Sequence, residues 1–139
     1  MKISFVVAVY HNEGALAVTH QKIRALFEGE LSAHDYELFF IDDGSTDGSL
    51  KEALAIREQD SHVKVITFTR NFGQMAAMLA GFKEATGDAV VNISADLQDP
   101  IELIPQMIAN WRGGAEIVIC YRTDREDVWS AKVVSRSVR

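Results

Sequence analysis

Two kinds of apolar pattern alternate along this chain. Nearly continuous apolar runs at residues 3–9, 36–41, 63–68, 89–91 and 116–121 read as strands, and the first, Ile3-Ser4-Phe5-Val6-Val7-Ala8-Val9, is of the kind buried on both faces of a parallel sheet. Between them lie longer stretches with helical spacing. Leu16, Ile23, Leu26 and Phe27 form one stripe, with Lys22, Arg24 and Glu28 outside it, which predicts a helix over 13–28. A second helix follows Asp47, read as its cap, and runs to about residue 59. An Ala- and Met-rich helix covers 74–85, and a fourth covers 100–111, opened by Pro100 and stopped by Gly113-Gly114. Strict alternation of strand and helix predicts an α/β fold with a mostly parallel, doubly wound sheet and helices on both faces.

In such sheets ligands bind beyond the carboxyl ends of the strands, so the polar residues that follow each strand become the candidates. Asn12 and Glu13 follow the first strand, Asp42 and Asp43 the second, Arg70 and Asn71 the third, Asp96 and Gln98 the fourth, and Arg122 the fifth. All are expected to face one rim. The most informative stretch is Asn92-Ile93-Ser94-Ala95-Asp96-Leu97-Gln98-Asp99-Pro100, which places oxygen ligands at a strand end, where a hard divalent metal would be at home. Taken alone, Asp99 reads as a cap for the helix at Pro100, Asp42-Asp43-Gly44 as a turn, and Glu13 as a charge favouring the dipole of its own helix.

Composition narrows the class. The chain has 139 residues, 47% apolar and 24% charged, as expected of one soluble globular domain. Its net charge of −6 is uneven: residues 1–121 carry 9 basic and 17 acidic side chains, a balance of −8, and residues 122–139 carry 5 basic and 3 acidic, a balance of +2. An acidic body argues against nonspecific nucleic-acid binding. The lone Cys120, read as a buried structural thiol, points to a reducing compartment. No run approaches the roughly 20 apolar residues of a membrane-spanning helix. His11, His20, His34 and His62 show no ligand spacing and are read as surface residues.

Neither a glycine-rich dinucleotide fingerprint nor a phosphate-binding P-loop follows the first strand, where Tyr10-His11-Asn12-Glu13-Gly14 stands instead. Carboxylates without a backbone phosphate cradle suggest that a metal carries a diphosphate. Five motifs then fall in order: Val9-Tyr10-His11-Asn12-Glu13, Ile41-Asp42-Asp43-Gly44-Ser45-Thr46-Asp47-Gly48, Arg70-Asn71-Phe72-Gly73, Ala95-Asp96-Leu97-Gln98-Asp99-Pro100, and the region from Tyr121-Arg122 to Arg125. With these, the chain resembles the family-2 glycosyltransferases of GT-A fold, and within them the polyprenyl-phosphate sugar transferases of the dolichyl-phosphate mannose synthase and undecaprenyl-phosphate type.

The resemblance implies an inverting, metal-dependent transfer of a sugar from a nucleoside diphosphate sugar, with uridine expected, to polyprenyl phosphate. It implies nucleotide-sugar contacts from Tyr10, Asn12, Glu13, Asp42, Asp43, Ser45, Arg70, Asn71, Gly73, Ser94 and Ala95. Asp96 and Gln98 are implied to hold magnesium or manganese, and Asp96, Arg122 and Arg125 to act in catalysis, the two arginines toward the acceptor. On this basis residues 1–121 are the nucleotide-sugar-binding core, and 122–139 start an acceptor-side or interfacial segment continuing past a truncation at Arg139. The full-length protein is expected at the cytoplasmic face of the inner membrane, with a homo-oligomer open and the present stretch soluble.

One position departs from the family pattern. Where the metal motif reads Asp-x-Asp, Ser94 takes the first place, a neutral and poorer ligand that Asp99 could partly replace. Ser94 is the best argument for one alternative, a catalytically silent nucleotide-sugar-binding module; the other, transfer to a hydroxyl acceptor in polysaccharide or glycan synthesis, would need a carboxylate base. Trp129, Val133 and Val138 fall on one helical face, and Lys132, Arg136 and Arg139 on the other, predicting an amphipathic helix that lies on anionic lipid or packs on protein.

Overall fold

The computed structural model describes residues 1–122 and 129–133. The chain forms two compact units, divided after Asp99. The first alternates as read from sequence: β1 (Lys2–Val9), α1 (Leu16–Glu28), β2 (Asp35–Asp42), α2 (Ser49–Gln59), β3 (Val63–Thr67), α3 (Gln74–Glu84) and β4 (Ala89–Ser94). The four strands form one parallel sheet in the order β3-β2-β1-β4.

Period-two patterning divides the strands between two apolar faces, each covered by helix. On one side Phe5 meets Phe27 of α1 edge-on at 5.9 Å, and α2 packs beside α1. On the other, Val6, Phe39 and Ile41 bury against Ala77 of α3. Gly81 lets α3 lie this close, since a side chain there would overlap Val6 and Ile41. Ser4 and Glu37 are also fully buried in the sheet.

Register fixes the rim. Val9 pairs with Asp42, Asp42 with Thr67, and Ala8 with Ser94, so all four strands end at one level. The chain adds β2 and β3 on one side of β1, then crosses to place β4 on the other. That reversal opens a crevice at the carboxyl ends of β1 and β4.

The second unit holds a short 3-10 turn (Ile101–Leu103), α4 (Ile104–Arg112), and the strands β5 (Val118–Arg122) and β6 (Trp129–Val133). Three expectations change here. The fifth strand does not extend the parallel sheet: β5 pairs antiparallel with β6, from Val118 opposite Val133 to Arg122 opposite Trp129. The gathering of polar clusters on one rim therefore holds for four strands. Residues 129–133 are strand, not helix, because a segment this short fits either period and its backbone groups find ladder partners in β5. Cys120 is half-buried, since an antiparallel hairpin alternates its faces. Among the described residues no helix is long and apolar enough to cross a membrane.

Candidate active site

A cleft of about 440 Å³ opens at the β1/β4 crevice. Ala8, Val9 and Tyr10 form its β1 side, and Ser94, Ala95 and Asp96 its β4 side. Asn12, Asp43, Asn71 and Gly73 complete it, together with Gln74, the first residue of α3. Eight of the residues expected at the site thus line one cleft. Gln74 was not expected there, although its place directly after Gly73 is the signal that could have found it.

The loop after β4 presents Asp96. Its Oδ1 accepts the Ser94 hydroxyl at 2.7 Å and the Gln98 backbone N–H at 3.1 Å, while Leu97 between them takes a left-handed φ of 64°. Ser94 therefore supports the one exposed carboxylate of the cleft, and Gln98 contributes through its backbone. Asp99 does not cap the following helix. Its carboxylate turns back to the Ser94 N–H at 2.5 Å, closing the loop on itself, and Pro100 stands at the helix start with no side-chain cap.

The loops after β1 and β2 are knitted by side chains. Asn12 N–H donates to Ser49 Oγ at 2.8 Å, His11 N–H to Ser45 Oγ at 3.2 Å, and Thr46 N–H to His11 Nε2 at 3.1 Å. The His11 ring also stacks on Tyr10 at 4.0 Å, and Tyr10 remains 46% exposed at the cleft. Glu13 does not serve its own helix. Its carboxylate accepts the Gly48 N–H at the start of α2, and Glu52 of α2 accepts the Gly14 and Ala17 N–H groups at the start of α1. The loop before α1 and the start of α2 are thus tied to each other, and Glu52 satisfies the Ala17 N–H, which has no partner within its own helix. Asp47 meets expectation in part, receiving the Ser49 N–H at 3.0 Å; the Ser49 hydrogen bonds hold its carboxyl below the usual range.

The acidic pair divides. Asp42 is 2% exposed; its Oδ2 faces the Ser45 N–H and the Thr67 hydroxyl, both at 3.3 Å, while its buried Oδ1 has no hydrogen-bond partner among the described residues. Asp43 is turned to the loop after β3. Arg70 stacks its guanidinium over Phe72, 4.0 Å from the ring centroid, outside the cleft lining, as are Asp42, Ser45, Glu13 and Gln98. Arg122 ends β5, and Arg125 lies outside the described residues.

Away from the cleft, the histidines are not bare surface groups. Asp60 at the end of α2 binds His20 and His62, each at 2.7 Å, and the Tyr36 hydroxyl at 2.9 Å. Burial alone would raise the Asp60 carboxyl, but these bonds outweigh it and hold it well below the usual carboxylate range. Burial raises the Tyr36 hydroxyl, with the Asp60 hydrogen bond adding to the effect. No ligand role emerges, and no cluster of three or more His, Cys, Asp or Glu suited to a metal exists among the described residues.

Comparison with known proteins gives the family of the chain. Residues 4–137 match the model of glycosyl transferase family 2. The chain belongs to that family. Among its relatives are a prophage bactoprenol glucosyl transferase homolog of Escherichia coli K12, 45% identical over 125 residues, covering 90% of this chain and 40% of the relative. Another is the undecaprenyl-phosphate 4-deoxy-4-formamido-L-arabinose transferase of Proteus mirabilis, 39% identical over 141 residues, covering 99% of this chain and 42% of the relative. The chain thus spans about two fifths of the length of these relatives. Staphylococcus aureus TarS (residues 1–349) shares the fold at a TM-score of 0.68 and 21% identity, over 85% of this chain and 34% of that one. The family and the GT-A fold expected from the five motifs are borne out.

The donor set suits a hard divalent cation, being oxygen only and reachable in an open cleft. It offers one exposed carboxylate, so such a cation would rely on Asp96, with the Ser94 hydroxyl beside it, and on phosphate oxygens brought by a substrate.

Proposed function

We propose that this chain is the donor-binding part of an inverting, metal-dependent glycosyltransferase that moves a sugar from a nucleoside diphosphate sugar, uridine expected, to a polyprenyl phosphate. The observation that carries the reading is the meeting, in one cleft beyond the strand ends, of residues from all three β1, β2 and β4 termini with the loop after β3. The names of the relatives, bactoprenol and undecaprenyl-phosphate transferases, support the lipid-phosphate acceptor.

In this reading Tyr10 and Asn12 face the base and ribose. Asp42 keeps an unpartnered buried oxygen, and a pyrimidine imino hydrogen is the kind of donor it lacks. Ser45 and Arg70 flank the nucleotide, Asn71, Gly73 and Ala95 shape the wall, and Glu13 acts by holding the start of α2. Asp96, with Ser94 and Gln98, would hold magnesium or manganese, whose charge would stabilise the departing nucleoside diphosphate. The acceptor phosphate, ionised at neutral pH, forms its bond to the anomeric carbon on the face opposite the breaking bond to the diphosphate, so no general base is needed. Arg122 and Arg125 are assigned to that phosphate, whose oxygens match guanidinium geometry. The acceptor would place the full-length protein at the cytoplasmic membrane face, with residues 122–139 on the acceptor side.

Calorimetry on the intact protein tests the donor half: uridine diphosphate should bind more tightly with manganese than in excess chelator. Equal affinity in both would overturn the metal role. For the acceptor half, transfer to hydroxyl acceptors but not to polyprenyl phosphate, or lipid-phosphate transfer indifferent to Arg122→Ala and Arg125→Ala, would refute the assignment.

Ser94→Asp is expected to tighten manganese binding by about tenfold, since it adds a second carboxylate beside Asp96. Without metal the same change should destabilise the protein, because the hydroxyl that now donates to Asp96 is replaced by a like charge. Metal titration and thermal unfolding, with and without chelator, check both signs. Unaltered manganese affinity in a folded variant would contradict the expectation.

A further inference from the structure

Asp42 and Asp43 are adjacent in sequence and equally buried, yet their carboxylates are used differently. Both oxygens of Asp43, 3% exposed, are occupied by donors from a single loop. Oδ1 accepts the Phe72 N–H at 2.7 Å, and Oδ2 accepts the Gly73 N–H and the Asn71 side-chain amide, both at 3.1 Å. Each is a hydrogen bond to an ionised acceptor, the stronger kind. The loop lies tight against the acidic pair: Gly44, at φ +75°, leaves no room for a side chain beside the Arg70 and Asn71 backbone, and Gly73 turns at φ +99°. Phe72 is half exposed, its ring meeting Phe68 edge-on at 5.7 Å and lying under the Arg70 guanidinium. Asn71 and Gly73 form one wall of the cleft.

We propose that Asp43 is a positioning residue: its carboxylate holds residues 71–73 in the cleft wall, and through them sets the shape of the cleft that the donor meets. The hold on the loop stands on the geometry alone; its effect on the donor rests on the nucleotide-sugar reading above. Three of the roughly four acceptor sites of the Asp43 carboxylate are thus taken up by this one loop. Neutralising Asp43 should therefore loosen the loop before any ligand is present, which a direct ligand would not do.

Amide hydrogen exchange on the intact protein without ligand separates the two. In Asp43→Asn, exchange at Phe72 and Gly73 is expected to accelerate by about tenfold or more, while the β1 and β2 amides stay protected. Asn71→Asp, at an exposed position, keeps the Asp43 side chain but sets a second carboxylate against its Oδ2, and should loosen the same two amides. In both variants the donor KM should rise and the acceptor KM should not. Unchanged exchange at Phe72 and Gly73 in Asp43→Asn would overturn the proposal, whatever the nucleotide affinity. So would faster exchange with an unaltered affinity for uridine diphosphate. A parent protein that binds no uridine diphosphate would refute the nucleotide reading and the effect on donor binding with it, while the exchange rates still decide the role in the loop.

Discussion

Asp96→Asn is expected to lower sugar transfer by about 10²–10³-fold, the range seen when one charge-stabilising group is removed from a transition state, while leaving thermal stability unchanged. The separation of the two effects follows from how the side chain is held. Its Oδ1 accepts the Ser94 hydroxyl and the Gln98 N–H, and an asparagine oxygen can accept both, so the left-handed turn at Leu97 should persist. What disappears is the negative charge. In this cleft that loss is not compensated, because Asp43 is committed to the loop after β3 and Asp99 to the Ser94 N–H. Steady-state kinetics with varied manganese, beside a melting curve, checks the expectation. Activity within threefold of the parent would remove Asp96 from the chemistry; a large drop in melting temperature would mean the turn was lost with the charge.

The parts of this molecule that sequence revealed are those encoded by repeated local signals. Four apolar runs gave the four parallel strands to within about three residues, and of the polar residues after them Asn12, Asp43, Asn71 and Asp96 meet at the cleft while Glu13, Asp42, Arg70 and Gln98 do not line it. The fifth strand was found but misplaced. Its partner, Trp129–Val133, is five residues long and carries no period that excludes a helix, so the hairpin had no local signature. Single polar residues were the hardest to read. Glu13, Asp99 and Asp60 each bond to a group chosen by tertiary structure: Gly48 across two loops, Ser94 behind the turn, and His20 forty positions earlier. Spacing along the chain holds no record of such partners. The acidic pair shows the same limit, since only the folded loop distinguishes the occupied Asp43 from the orphaned oxygen of Asp42.

The largest expected effect on stability lies in the amino-terminal part of the sheet, away from the cleft. Glu37 is 2% exposed and accepts hydrogen bonds from Lys64 Nζ at 2.7 Å, the Ser4 hydroxyl at 2.6 Å and the Thr86 N–H at 2.7 Å, with Lys2 Nζ at 2.9 Å. It thereby ties β1, β2 and β3 to the loop that leads from α3 into β4. Glu37→Ala leaves the Ser4 hydroxyl and the Thr86 N–H without their acceptor and opens a cavity, a loss on the order of 3 kcal/mol. Burial alone would raise this carboxyl, but the bonds from Lys64, Ser4, Thr86 and Lys2 outweigh it and hold it far below the ordinary value of 4.5. Its folded-state value is thus depressed, so its contribution is fully present above about pH 5 and is lost as pH falls below 4.5 toward the lower folded value. Glu37→Gln keeps an acceptor for the Thr86 N–H but cannot titrate. Denaturant unfolding between pH 7 and pH 2 should therefore show a variant that is less stable than the parent at neutral pH and whose stability declines less steeply below pH 4.5. Asp60, with its carboxyl held low by the histidines, still supplies an acid limb in both proteins, so the difference between the two curves is the quantity that isolates Glu37. Parallel curves for parent and Glu37→Gln would show that this buried carboxylate does not set the acid stability of the fold.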